Sequence, residues 1–129
     1  DFTNNAVYAS DYILMVFQTQ QSAYESSLSF VNFLRDRKNE SNLPFELIGA
    51  VPVLIKRSGK VDEKILNMSK NAFSQALFEN QIYQRERIKK FGAEGIRNKD
   101  MHDKKVIHMF NKVYIELVDR IQVIESEWK

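Results

Sequence analysis

Cysteine is absent from the 129 residues. That excludes disulfides, thiolate metal sites and thiol catalysis, and it suits a reducing cytoplasm better than an oxidising compartment. No apolar run approaches the roughly 20 residues of a membrane-spanning helix, so a membrane is not expected as a partner. Residues 1–5 have neither the basic region nor the apolar core of a signal peptide. Glycine is scarce, at four residues, and none of the four sits in a phosphate loop. The one Gly-Lys pair is Gly59-Lys60. Val61 follows it where Ser or Thr would meet magnesium, and Leu54 stands where the earlier glycine belongs. A GxGxxG run is missing as well. There are two prolines: Pro44 marks a boundary, and Pro52 interrupts an apolar run in which it cannot donate to a ladder.

With 43% hydrophobic residues, the chain suits one compact unit spanning residues 1–129. The run Tyr12-Ile13-Leu14-Met15-Val16-Phe17 lacks alternation. It reads as a strand of a parallel sheet covered on both sides, with a polar exit at Gln18, Thr19, Gln20 and Gln21. In open parallel sheets ligands lie beyond the carboxyl ends of the strands, so this exit is where a ligand is expected. Residues 47–55 form a second apolar run, read as a buried parallel strand distorted or unpaired on one side at Pro52. Residues 81–84 are a weaker third strand. Helices are expected over about 3–9, capped by Asp1 or Thr3, and over about 22–37 and 62–78, the last capped by Asp62. A loop carrying Gly92 and Gly95 follows the third strand. The clearest helix covers about 103–127, where Val106, Phe110, Val113, Leu117, Ile121, Ile124 and Trp128 form a continuous apolar stripe read as core. Strands alternating with helices predict an α/β fold of three layers, a mostly parallel sheet with helices on both faces. The helix content is large for three strands, and this imbalance suggests part of a larger doubly wound fold.

Candidate chemistry is sparse, and no catalytic residue stands out. Asp100, His102 and Asp103 could share a metal, but helix capping by the two acids is the preferred alternative and no metal is expected. The basic residues are more informative. Arg85, Arg87, Lys89, Lys90, Arg97, Lys99, Lys104 and Lys105 face only Glu86, Glu94, Asp100 and Asp103 in the same stretch, a net of +4 in a chain whose total is +2. Such a cluster suits salt-sensitive, sequence-nonspecific phosphate contacts, with a solvated loop and helix face as the alternative.

The order of segments resembles the C-terminal half of ParA-type partition ATPases, the ParA/MinD deviant-Walker group. Thr3-Asn4-Asn5-Ala6 and Ala9-Ser10-Asp11-Tyr12-Ile13-Leu14 resemble the helix and strand after that family's second acidic phosphate-site motif. Leu47-Ile48-Gly49-Ala50-Val51-Pro52-Val53-Leu54 resembles its next core strand, and residues 57–65 its basic turn and helix. Residues 82–88 resemble its I-P-R-x-x-R-L segment, with Arg87 on the second arginine and Tyr83-Gln84 in place of Pro-Arg. The resemblance implies a P-loop-NTPase-like doubly wound fold. The phosphate loop and its ATP and magnesium would lie outside these residues. It also implies dimerisation or pairing with that other half, nonspecific DNA binding, a ParB-like centromere-binding partner, and work in plasmid or chromosome segregation at the bacterial nucleoid. On this reading Gln18, Thr19, Gln20 and Arg57 border the nucleotide. Arg85, Arg87, Lys89, Lys90, Arg97, Lys104 and Lys105 are candidates for DNA. A non-catalytic α/β protein-interaction module is the competing reading.

Overall fold

The architecture is that of a computed structural model that describes residues 2–127. The expected cap at Asp1 and the last member of the C-terminal stripe, Trp128, lie outside them. Helix α1 (Phe2–Ala9) leads into strand β1 (Tyr12–Gln18). Helix α2 (Gln21–Ser41) returns the chain to strand β2 (Glu46–Val53), which pairs with β1 in parallel. Helix α3 (Lys60–Phe73) is followed by a short 3₁₀ turn (Ser74–Ala76) and an extended stretch. Helices α4 (Glu86–Glu94) and α5 (Met101–Glu127) complete the fold.

Among the described residues β1 and β2 are the whole sheet. This overturns the expected three-layer, mostly parallel, P-loop-NTPase-like sheet. The extended stretch that contains the expected third strand does run beside β2, bridging it at Ala50–Leu77 and the residues just beyond it at Ile55–Tyr83. It forms bridges and no strand, for two reasons. Pro52 faces it: its carbonyl accepts the Ile82 amide at 3.2 Å, but its ring nitrogen has no proton to return. The next amides along the segment, Glu79 and Asn80, donate instead to the Glu116 carboxylate at 3.0 and 2.9 Å. Pro52 itself sits in register opposite Phe17, so the distortion is confined to its other side.

Alternation along the two strands divides the core. Met15, Phe17 and Ala50 meet Tyr24 of α2 and Ile65 and Phe73 of α3. Ile48 and Val51, with Phe78, meet Val113, Leu117 and Ile121 of α5. A third cluster joins Val7 of α1 to Leu34 and Phe45. Val16 departs from the expectation of a strand dry on both faces. It is 56% exposed, on an edge strand of the two-stranded sheet that the described residues form.

α5 is fastened by one buried-side cation. The Arg120 guanidinium donates to the carbonyls of Ile48, Gln75 and Leu77 at 3.1–3.2 Å, and its Nε donates to Glu116 at 3.0 Å. Ile48 is the extra residue of a bulge, since Ile13 pairs with Leu47 and Leu14 with Gly49. A bulge leaves backbone groups without ladder partners, and Arg120 collects this carbonyl. A side chain at Gly49 would not fit. Its Cβ would lie 2.4 Å from the Ala76 carbonyl oxygen and 3.0 Å from the Arg120 guanidinium. Among the described residues no helix is long and apolar enough to cross a membrane.

Arg120→Met strands several partly buried carbonyls and the Glu116 charge together, so it is expected to cost about 3 kcal/mol and lower the melting midpoint by roughly 10 °C. Gly49→Ala, which forces backbone against backbone, should cost about 2 kcal/mol. Thermal unfolding followed by circular dichroism measures both.

Candidate nucleic-acid interface

Of the residues expected to border a nucleotide, Gln18, Thr19 and Gln20 lie at the exit of β1, and Arg57 follows β2. Thr19 is buried at 4% exposure, and its hydroxyl donates to Asp62 Oδ2 at 2.6 Å. The Lys56 amide donates to the same oxygen at 2.9 Å. Asp62 lies inside the first turn of α3, where the expected cap position is taken by Gly59, and it ties that turn to the exit of β1. The Thr19 hydroxyl first, then the Lys56 amide, hold its pKa below the ordinary carboxylate range. Gly59 leaves room for this carboxylate, since a Cβ there would fall 2.5 Å from Asp62 Oδ1. Gln18 and Gln20 are exposed and hydrogen-bond each other at 3.2 Å. Arg57 lies over the Tyr83 ring, 4.2 Å from its centroid. At the strand exit Thr19 is thus engaged in an internal hydrogen-bond knot with Asp62 and the Lys56 amide.

Most of the basic stretch, with Arg57 and Lys112 from outside it, sorts into three groups. Arg87 is structural. Its guanidinium donates to Asp100 at 2.8 Å and to the buried Asp103 at 2.7 Å. The two acids form a reciprocal cap at the start of α5: Asp100 Oδ1 accepts the Asp103 amide at 2.8 Å, and Asp103 Oδ2 accepts the amides of Lys99 and Asp100. Their partner is thus Arg87 and the helix start. The Asp103 amide, then Arg87, lower the Asp100 pKa to about 2. The Lys99 amide, aided by Arg87 and opposed by burial, lowers that of Asp103.

Lys89, Lys90 and Arg97 form the second group. They sit on or just after α4, a helix over residues expected to form a loop. Each meets a glutamate of the same segment at 3.9–4.0 Å. Exposed pairs of that length contribute little and exchange readily with water.

The third group converges. Arg57, Tyr83, Arg85, Lys105, His108 and Lys112 line a concavity of about 370 Å³ together with Glu79, Asn80 and Gln81. Arg57, Arg85, Lys105 and Lys112 have no ion-pair partner among the described residues. Arg85 also borders an adjoining concavity of about 400 Å³ with Arg87, Lys90 and His102. Lys104 is exposed but lines neither. Lys112 was outside the basic stretch read from sequence. Its signal is the spacing Lys105–His108–Lys112, three then four, which puts all three on one side of α5. No protein-family model matches the chain, and no curated protein matches it.

The acid behaviour of the Arg87 knot follows from its charges. Asp100 and Asp103 have folded pKa values below the unfolded one, so their contribution is complete above about pH 4 and is lost as pH falls toward 2. Thermal midpoints measured between those limits should fall steeply for the wild type. Arg87→Met should melt lower at neutral pH and show a shallower acid slope. Parallel curves would contradict the assignment of Arg87 to the fold.

Proposed function

We propose that this chain binds the phosphate backbone of DNA without sequence preference, as the DNA-contacting portion of a ParA-like segregation ATPase. The observation that carries the reading is the convergence of Arg57, Arg85, Lys105 and Lys112 around one concavity with no carboxylate paired to any of them among the described residues. Cations held apart from internal partners gain most by displacing counterions from a polyanion. Lys90 and Arg85 extend the face through the adjoining concavity, with Lys89 on α4 and Arg97 just after it. Arg57 and Tyr83, one stacked on the other, add a flat surface at its rim. ATP and magnesium would be held by parts of the ATPase outside these residues, because no phosphate loop occurs in this sequence. A ParB-like protein would be the regulatory partner, and the bacterial nucleoid the place of work.

Fluorescence anisotropy with a labelled duplex of arbitrary sequence, titrated at several salt concentrations, tests the proposal. The triple variant Arg85→Glu, Lys105→Glu, Lys112→Glu should bind roughly tenfold or more weakly, and its slope of log affinity against log salt should be shallower by about 3. Equal affinity and slope for variant and wild type would overturn the assignment. A separate assay addresses the ATPase setting. The 129-residue chain should release no phosphate from magnesium-ATP, and turnover that scales with its concentration would contradict that division of labour.

A further inference from the structure

The chain has two histidines, and the fold sends one to each of the two cationic hollows. His108 lines the concavity of Arg57, Arg85, Lys105 and Lys112. His102 lines the adjoining one with Arg85, Arg87 and Lys90. Six residues apart, the two sit on different sides of α5, and Arg85 borders both hollows. Both histidines are exposed, and neither is held by a hydrogen bond or a salt bridge among the described residues. Unlike Arg87, they are not committed to the fold.

Imidazole is the side chain whose charge ordinarily changes between about pH 5 and pH 8. We propose that His102 and His108 are proton-linked contacts to the DNA phosphates, each taking up a proton as the backbone seats in its hollow. The assignment rests on the reading of this face as a phosphate surface. The groups around each imidazole give the linkage its direction. His108 faces Arg57, Arg85, Lys105 and Lys112 against one carboxylate, Glu79, with Tyr83 as the remaining titratable group. The anion that balances a charged imidazole there is therefore the phosphate. His102 faces Arg85 and Lys90 with Glu86. Asp100, whose carboxylate feels the His102 charge, is already bound to Arg87, as is Asp103. The nearby basic residues of the same segment, Lys99, Lys104 and Lys105, add only positive charge. Phosphates in both hollows favour the charged imidazoles, and by reciprocity protons favour phosphate binding. Affinity for DNA thus rises as the solution falls from about pH 8 to about pH 6, a range in which ordinary carboxylates and lysines keep their charges.

Anisotropy with the same labelled duplex at one salt concentration, repeated between about pH 8 and about pH 6, tests the linkage. The wild type should bind roughly tenfold more tightly at the lower pH. His102→Gln and His108→Gln should each remove part of that rise, and the double variant should hold one affinity across the range. His102→Lys with His108→Lys, which fixes both charges, should bind tightly at both ends. Titration calorimetry at about pH 7, in two buffers of different ionisation enthalpy, should show net proton uptake for the wild type and none for the double glutamine variant. The helical circular dichroism signal checks that each variant is folded. A wild-type affinity that does not rise on acidification overturns the assignment, as does a rise that survives both substitutions to glutamine. Binding that is independent of pH yet weakened by the Arg85→Glu, Lys105→Glu, Lys112→Glu variant overturns the histidine contacts and leaves the DNA surface standing. Absence of binding at every pH overturns both.

Discussion

Most of the fold depends on where one guanidinium sits. Arg120 reaches from α5 to the bulged carbonyl of Ile48 on β2 and to the carbonyls that follow α3, and it stacks over Phe78 at 4.3 Å from the ring centroid. Its neighbour one turn back, Glu116, takes the amides of Glu79 and Asn80. Burial alone would raise the Glu116 pKa, but the Asn80 amides, the Glu79 amide and Arg120 outweigh it and hold the carboxylate ionised. Between them the two side chains collect backbone groups that a regular third strand would have paired. A two-stranded sheet with one ragged flank becomes stable because a helix supplies the missing partners.

That arrangement also sets the geometry of the cationic face. The segment from Leu77 to Gln84 is gripped at one end by Glu116 and at the other by the Gln84 amide, which donates to Ile55 at 2.9 Å. Tyr83 and Arg85 are delivered beside Arg57 as a result. α5, held along the same segment, brings Lys105, His108 and Lys112 to the opposite wall of the concavity. The Arg87–Asp100–Asp103 knot holds the start of α5 against α4. Three stretches far apart in sequence thus contribute unneutralised cations to one surface, while Arg87, in the middle of them, is fully occupied in keeping that surface assembled.

What the sequence disclosed depended on whether the deciding interaction was local. Both apolar runs fold as parallel strands, and α2 and α5 follow their apolar spacing, because burial is visible in the periodicity of a single segment. The irregularity at Pro52 was legible for the same reason. The absence of a regular third strand was not, because it depends on Glu116, more than thirty residues beyond the amides it accepts. α4 was hidden by its charge and by Gly92. Phe110 belonged to the apolar stripe of α5 yet stands half in solvent, while Leu117 and Ile121 of the same stripe pack on the sheet core. Among the basic residues, identity alone could not separate Arg87 from Arg85. Partners 13 and 16 residues downstream make the first structural, whereas the second borders two concavities. Thr19 was placed at the right strand exit, but its partner Asp62 lies 43 residues away.

The central claim is that three separated segments form one phosphate-contacting surface because α5 is docked where it is. The most direct measurement is a backbone amide NMR titration of the chain with a short unlabelled duplex. The account predicts that the amides of Arg57, Tyr83, Arg85, Lys105 and Lys112 shift together with a common dissociation constant, weakened by added salt. Shifts confined to α4 around Lys89 and Lys90, or shifts that fit different constants on different segments, would contradict it.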